Sequence, residues 1–296
     1  MKKLILLALF LLPLLTFSQV QLGSDIDGEA SGDRSGRSVS MDSDGSHVAI
    51  GAYYNDGNGS NAGHVRIYEY SSGSWTQVGN DIDGEAASDY SGYSVSLSND
   101  GTIVAIGAYG NDENGSDSGH VRVYSWDGSA WNQLGSDIDG EAADDWSGHS
   151  VSMDGDGSRV AIGAHKNSGN GTYSGHVRVY QYSGSSWSQL GDDIDGEAIV
   201  DYSGYSVSMD NDGSRVAIGA YGNDAGGSSS GHVRVYDMTT PAISSVSLAA
   251  DNSTIAVTFS KLVYNTNAGS GALEVSDFTL SISGGTATLS SSTPSS

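Results

Sequence analysis

Four short stretches of the chain carry acidic residues at alternate positions, an arrangement that can chelate a cation. Each stretch reads Asp-x-Asp-x-Glu and has a further Asp at its ninth position. The sixteen acids are Asp25, Asp27, Glu29, Asp33, Asp81, Asp83, Glu85, Asp89, Asp137, Asp139, Glu141, Asp145, Asp193, Asp195, Glu197 and Asp201. Calcium takes about six to eight oxygen ligands, which alternate carboxylates in one loop can supply. The pattern therefore predicts candidate calcium sites.

A second interpretation of these acids is structural. Asp25-Ile26-Asp27 would end a strand, Gly28 would form a turn, and the carboxylates would face water. Glycine stands at the fourth position of each stretch, whereas calcium loops usually have it at about the sixth. The sequence leaves both interpretations open.

The acid stretches belong to a repeat of 56 residues. Asp-Ile-Asp-Gly-Glu-Ala begins at Asp25, Asp81, Asp137 and Asp193. Gly-His-Val-Arg begins at Gly63, Gly119, Gly175 and Gly231, with the same spacing. Because no insertion or deletion interrupts the period, we expect each unit to occupy an equivalent place in the fold.

Each unit reads as four strands, called a to d. In the second unit they are Tyr93–Leu97, Ile103–Ala108, His120–Tyr124 and Trp131–Leu134, with Asn-Asp-Gly and Asp-Gly turns between some of them. Alternation with period two, bounded by such turns, is typical of β-hairpins. A four-stranded antiparallel unit of this length favours a propeller blade. The prediction is an all-β protein with a four-bladed propeller over residues 19–239.

The ends of the repeat region predict that the ring closes. The segment Gln19–Gly23 is similar to strand d of the later units, while the fourth unit stops after strand c. A ring in which residues 19–25 pair with strand c at His232–Tyr236 would leave no open edge. An open stack and a larger ring of two chains are the alternatives.

Strand c carries a His-x-Arg-x-Tyr motif, first at His64, Arg66 and Tyr68. We expect a structural role for it, because strand c lies about 10 Å outside the innermost strand and its histidines cannot converge on the axis. The arginines would pair with carboxylates of loops or neighbouring blades. The tryptophans of strand d are expected to pack between blades; they are Trp75, Trp131 and Trp187.

Aromatic residues mark the d–a and b–c loops, which leave the same face of a propeller. They are Tyr53, Tyr90, Tyr109, Trp146, His165, Tyr202 and Tyr221. Together with the acids they predict a ligand face suited to sugars or to a basic protein surface. Packing between blades is the alternative.

Composition excludes several classes of protein. The net charge of −24 argues against nucleic-acid binding, which calls for basic patches. The chain has no cysteine, so no disulfide contributes to its stability. No nucleotide loop, zinc motif or nucleophile elbow occurs, and its serine, histidine and aspartate recur with the repeat. A catalytic site usually has one distinct constellation, so we predict a protein that is not an enzyme.

Two terminal segments differ from the repeats. Lys2 and Lys3 precede the apolar run Leu4–Leu15, which predicts a secretory signal over residues 1–18 and no membrane-spanning helix. From about residue 240, four strand-like segments resemble the first part of a bacterial immunoglobulin-like sandwich. They are Ala242–Ala249, Thr254–Phe259, Phe278–Ile282 and Thr286–Leu289. A whole sandwich needs about 100 residues, so residues 240–296 are predicted to be part of one.

The units resemble the FG-GAP repeat of integrin alpha-chain propellers and of secreted bacterial relatives. The second unit carries the resemblance in Ser91–Val95, Asp100-Gly101, Ile106–Ala108 and Gly119–Tyr124. The resemblance covers residues 19–238 and implies a β-propeller used for adhesion or ligand binding.

The units also depart from that family. Its phenylalanine is replaced by Ser35, Ser91, Ser147 and Ser203, and its proline by Tyr53, Tyr109, His165 and Tyr221. Some integrin blades bind calcium in the a–b turn through acids at its first, third, fifth and ninth positions. At the ninth position this chain has His47, Ile103, Arg159 and Arg215. That calcium site therefore does not carry over. The acids of the a–b turn are expected to be plain turn residues; they are Asp44, Asp100, Asp156 and Asp212.

The sequence predicts a secreted or cell-surface module that binds an extracellular protein or glycan, with calcium as a candidate cofactor. The alternative is a passive spacer in a larger surface protein. A spacer tolerates uniform copies, whereas a binding module concentrates differences on one face. The units diverge at Arg34, Arg37, His149, His165 and Lys166, all in or beside the d–a and b–c loops. These differences favour binding.

Overall fold

The chain folds into successive antiparallel β-sheets, one for each repeat. The computed structural model describes residues 19–239, 243–248 and 255–260. Sheet I contains β1 (Ser38–Met41), β2 (His47–Ala52), β3 (His64–Ser71), β4 (Ser74–Gln77) and β5 (Ile82–Asp83). Sheet II contains β6 (Ser94–Leu97), β7 (Ile103–Ala108), β8 (His120–Trp126), β9 (Trp131–Gln133) and β10 (Ile138–Asp139). The described residues contain no helix, as the sequence predicts.

Two more sheets continue the series. Sheet III contains β11 (Ser150–Met153), β12 (Arg159–Ala164), β13 (His176–Tyr182), β14 (Trp187–Gln189) and β15 (Ile194–Asp195). Sheet IV contains β16 (Ser203–Met209), β17 (Arg215–Ala220) and β18 (His232–Asp237). The repeated four-stranded arrangement is consistent with propeller-like blades.

The outer strand of each complete sheet is divided in two, which the sequence did not predict. In sheet I, β4 pairs with Tyr68–Ser71 of β3, and β5 pairs with the other end of β3 at His64 and Val65. Gly79 lies between the two pieces with a φ of 74°, a left-handed conformation that interrupts a strand. The second piece belongs to the next repeat, so each repeat completes the sheet of the preceding one.

The core lies between consecutive sheets. Val65 and Ile67 of sheet I pack with Val95, Leu97 and Ile106 of sheet II, and the same arrangement recurs between sheets II and III and between sheets III and IV. Strand β7 is buried along almost its whole length because neighbouring strands flank it and neighbouring sheets cover it. Burial of these apolar side chains is the main force that holds the sheets together.

The two ends of the series are open. Val39 of β1 is 63% exposed, whereas its equivalent Val95 in β6 is 9% exposed. Val233 of β18 is 68% exposed, whereas its equivalent Val121 in β8 is fully buried. Sheet I therefore has no covering sheet before it in the described residues, and sheet IV has none after it.

The predicted closure through the N-terminal segment is not seen. The carbonyl of Leu22 accepts a hydrogen bond from the Trp75 indole at 2.9 Å, and Val78 accepts one from Trp131 in the same way. Leu22 thus occupies the place of an outer-strand residue beside sheet I. Within the described residues, however, β18 pairs with β17 alone, and residues 19–22 form no strand. This contact with Trp75 does not bring the segment into register with β18.

Near the C-terminus, β19 (Ile243–Leu248) pairs with β20 (Ile255–Phe259) as a two-stranded sheet. The other two strands predicted there and the secretory signal lie outside the described residues, and the immunoglobulin-like domain stays a prediction. In the part of the chain that the structure describes, no helix has the length and apolar character needed to cross a membrane.

Candidate functional site

The acid at the ninth position of each stretch is a buried structural residue. Asp145 is 4% exposed, and its Oδ2 accepts hydrogen bonds from the Ala142 amide at 3.2 Å and from Asn167 Nδ2 at 2.9 Å. The equivalent residues Asp33, Asp89 and Asp201 make the same two kinds of contact. Burial raises the pKa of Asp145, although these hydrogen bonds partly offset the rise. This acid joins the d–a loop to the b–c loop and does not lie with the other three.

The acid at the third position of each stretch acts through its backbone. The carbonyl oxygens of Asp27, Asp83 and Asp139 accept hydrogen bonds at 2.7 Å from Nη2 of Arg66, Arg122 and Arg178. The fourth member, Asp195, accepts from Arg234 at 2.5 Å. The arginines of strand c thus anchor the d–a loop, which agrees with the structural role predicted for them.

The acid at the fifth position of one stretch converges with the acid at the first position of the next stretch, which belongs to the following repeat. Glu85 Oε2 lies 3.9 Å from His120 Nδ1, and Asp137 Oδ2 lies 3.7 Å from the same atom. Asp137 belongs to the next acid stretch along the chain. Two equivalent clusters are Glu29, His64 and Asp81, and Glu141, His176 and Asp193. A cage built by four acids of one stretch is therefore not formed, because those acids lie in separate places.

The strand-c histidine completes each cluster, whereas the sequence predicted only a structural role for it. Strand c brings its first residue to the d–a loop and not to the axis, so each histidine meets acids without meeting another strand-c histidine. The second cluster also contains Glu113, and one ligand atom from each of its four residues lies within 4.8 Å of the others. These groups could hold a metal ion. The repeated His-x-Arg motif was the available signal, whereas Glu113 has no counterpart in the other repeats.

Burial makes the cluster histidines neutral. Burial and, to a smaller extent, the neighbouring Arg122 lower the pKa of His120 to about 4, while Asp137 acts in the opposite direction. Burial together with Arg178 likewise lowers the pKa of His176 to about 4. A neutral imidazole keeps a lone pair for a hydrogen bond or for a metal. Nδ1 of His120 and Nδ1 of His176 have no hydrogen-bond partner.

A second candidate site lies where the first strands of the four sheets meet. They line a cavity of about 400 Å³, and each sheet contributes the residue that follows its Ser-Gly pair. These residues are Arg37, Tyr93, His149 and Tyr205, which we call the axial residues. The Arg37 guanidinium lies 4.1 Å from the centroid of Tyr93, the rings of Tyr93 and His149 are 4.9 Å apart, and those of His149 and Tyr205 are 4.8 Å apart.

The aromatics predicted to form a ligand face gather around the axial residues. Tyr109 packs edge-on against Tyr93 at 4.6 Å, and Tyr221 packs in the same way against Tyr205. Tyr109 also contacts Trp146 of the next repeat at 4.7 Å. The remaining members, Tyr53, Tyr90, His165 and Tyr202, contact the same network. The structure therefore brings all seven together, with ring contacts both within and between repeats.

A strained backbone holds part of this face. Tyr90, Trp146 and Tyr202 have φ values of 57°, 58° and 54°, a left-handed conformation that non-glycine residues seldom adopt. Each donates its amide hydrogen to a carbonyl of the preceding b–c loop at 3.1 Å, as Tyr90 does to Asn61. The neighbouring repeat thus stabilises an otherwise unfavourable conformation that presents an aromatic side chain.

The first repeat places a cation where the others have an aromatic ring. Arg34 stands at the position of Tyr90 and lies 4.4 Å from the ring centroid of Tyr54. Lys166 lies 3.0 Å from the centroid of Trp146. These two residues and Arg37 have no lysine or arginine counterpart in any other repeat, and all three contact the aromatic rings around the cavity, which we call the axial end. Within the four repeats, the lysine and arginine residues that occur in one repeat alone thus lie close to one another.

These features define an all-β protein of repeated sheets with an aromatic cavity at one end. The family model described as FG-GAP repeat matches residues 24–68, 81–124 and 137–180, and these three matches support an FG-GAP repeat protein. No curated protein matches the sequence. Among solved structures, Kuenenia stuttgartiensis hydrazine synthase is similar with a TM-score of 0.38 and 12% identity over 62% of this chain. The match spans 42% of that chain, and a likeness of this size carries no functional inference.

Proposed function

We propose that this chain is a secreted or cell-surface binding module without catalytic activity, and that it binds an extracellular glycan or protein at its axial cavity. FG-GAP repeats suggest a β-propeller module of a kind often involved in binding. The predicted secretory signal supports the location. The aromatic rings around the cavity provide flat apolar surfaces, and Arg37 provides a donor for acidic or hydroxylated groups.

The observation that carries this proposal is the variety of the axial residues. Strands b and c of the repeats are nearly uniform, whereas the position after the Ser-Gly pair has arginine in the first repeat, tyrosine in the second and fourth, and histidine in the third. All four side chains line one cavity. If the repeats served only as a spacer, nothing would require the differences to converge there.

A screen of the full chain on an array of glycans and extracellular matrix proteins tests the proposal. We expect at least one ligand that the wild-type chain binds and that Arg37→Ala binds at least tenfold more weakly. Arg215→Ala is the matched control, because Arg215 is exposed at the start of β17 and does not line the cavity. It removes the same charge and should retain binding.

Two outcomes would contradict the proposal. Equal weakening by Arg37→Ala and Arg215→Ala would indicate that the cavity is not the site and that net charge controls binding. No ligand for the folded wild-type chain across the array would favour the spacer.

A further inference from the structure

The cluster of Glu85, Glu113, His120 and Asp137 differs from an ordinary acidic patch in one respect. His120 is 1% exposed, and its Nδ1 atom points toward the carboxylates without a hydrogen-bond partner. A buried polar atom without a partner destabilises the folded chain. The carboxylates that surround it are too distant for a normal hydrogen bond, at 3.7 and 3.9 Å.

A metal ion would satisfy all four groups at once. In a tetrahedral site, zinc lies about 2.0–2.2 Å from nitrogen and oxygen ligands, so ligands now within 4.8 Å of one another need only a modest contraction. Glu85 and Glu113 are exposed side chains that can move, whereas His120 is fixed at the start of β8. The site is thus organised around its nitrogen ligand.

We propose that Glu85, Glu113, His120 and Asp137 form a binding site for a first-row divalent transition metal such as zinc. Imidazole suits zinc and its neighbours in the first transition row, whereas calcium and magnesium prefer oxygen ligands alone. The ion would join the b–c loop of one repeat to the acid stretch of the next. This role is independent of ligand binding at the axial cavity.

The charge of the second cluster distinguishes it from its two counterparts. Arg122 Nη1 lies 3.3 Å from Glu85 Oε1, and an equivalent arginine is present in the other clusters. Such an arginine opposes a cation, and in the second cluster the additional carboxylate of Glu113 offsets it. The positions of Glu113 in the first and third repeats are Gly57 and Gly169. We therefore expect one tight site in the chain.

Titration of zinc into the full chain, measured by calorimetry, tests the proposal. The wild-type chain is compared with a variant that lacks the fourth ligand, Glu113. We expect one zinc ion to bind to the wild-type chain, and Glu113→Gln to weaken that binding at least tenfold. Glu69→Gln is the control, because Glu69 is an exposed glutamate of β3 outside the clusters. X-ray absorption of the wild-type complex should show one imidazole nitrogen among the zinc ligands.

The third repeat allows the opposite experiment. Gly169 and Glu113 both donate their amide hydrogen to the asparagine two residues earlier, so their backbones match. A Cβ at residue 169 would lie 3.1 Å from Asn167 Oδ1, a contact that the equivalent Glu113 accommodates. Gly169→Glu should add a fourth ligand beside Glu141, His176 and Asp193, and raise the stoichiometry from one zinc ion to two.

Three outcomes would overturn the proposal. They are no zinc binding by the wild-type chain, unchanged binding by Glu113→Gln, and zinc coordinated without imidazole. A Gly169→Glu variant that folds, as judged by circular dichroism, but gains no second ion would contradict the ligand geometry.

Discussion

At the scale of single residues, the third repeat is the one most sensitive to acid. Burial lowers the pKa of His149 to about 4 and that of His165 to about 3; nearby Arg37 adds to the first shift, while His149 and Lys166 add to the second. In the unfolded chain these histidines have an ordinary pKa of about 6.5. Between that pH and the lowered pKa values, the unfolded chain therefore binds more protons than the folded chain. Stability from the neutral histidines is complete above pH 6.5 and is lost as the pH falls.

The repeats supply a matched substitution for testing this pH dependence. The other three repeats have tyrosine at the position of His165, namely Tyr53, Tyr109 and Tyr221. Each pKa unit corresponds to about 1.4 kcal/mol, so His165→Tyr should remove a loss of several kcal/mol between pH 6.5 and pH 4. Thermal melts over this range should show a smaller decrease in melting temperature for the variant. Parallel curves for the two proteins would contradict the account.

Residue types alone predicted some roles and missed others. The arginines of strand c pair with loops, and Asp44, Asp100, Asp156 and Asp212 serve as turn residues; in the second repeat, for example, Asp100 accepts the Thr102 amide at 3.0 Å. The division of each acid stretch was not predictable, because it depends on the bend at Gly79 and on burial of Asp89 beside Asn111. Both are tertiary effects that the spacing of the acids does not show.

At the scale of elements, a serine and a glycine join each sheet to the next. Ser150 Oγ donates a hydrogen bond to the Gly204 carbonyl at 2.8 Å, and Ser94 and Ser38 make the same contact one and two sheets earlier. A Cβ on Gly163 would lie 2.0 Å from that carbonyl oxygen. The close approach of two backbones therefore requires glycine in the second strand of a covered sheet.

Sheet IV provides the control for this contact. A Cβ on its equivalent glycine, Gly219, would meet the Ser206 hydroxyl but no carbonyl of a following sheet. Overpacking usually destabilises a protein by about 1–3 kcal/mol, so Gly163→Ala should destabilise the chain by this amount or more. Gly219→Ala should have a clearly smaller effect. Denaturant unfolding measures both, and equal losses would show that sheet IV is covered after all.

A strand was predictable where a local sequence pattern marks it. Strands a, b and c follow alternation and Asp-Gly turns, and they appear in all four repeats. The division of strand d was not predictable in this way, because its second piece pairs with β3 of the preceding repeat. A strand of two residues, such as Ile82–Asp83, carries no periodicity of its own.

At the scale of the whole molecule, the order of the sheets follows the repeats as predicted, whereas the predicted closure of the ring is not seen in the described residues. Each sheet presents one face to the sheet before it and the opposite face to the sheet after it. A series without closure therefore leaves one face of the first sheet and one face of the last sheet exposed. Val39 and Met41 mark the first face, and Val233 and Val235 mark the last. The sequence contains every strand needed for closure, but pairing over such a distance depends on the curvature of the series, which no local pattern determines.

The axial end is the part of the molecule on which the proposed function depends. Hydroxyl-radical footprinting of the full chain, with and without a ligand found on the array, tests it most directly. We predict that the ligand protects Tyr93 and Tyr205 from oxidation and leaves unchanged Tyr70 of β3 and Tyr182 of β13, which do not line the cavity. Protection confined to the outer strands, or no protection under conditions where the ligand is bound, would contradict a binding site at the axial cavity.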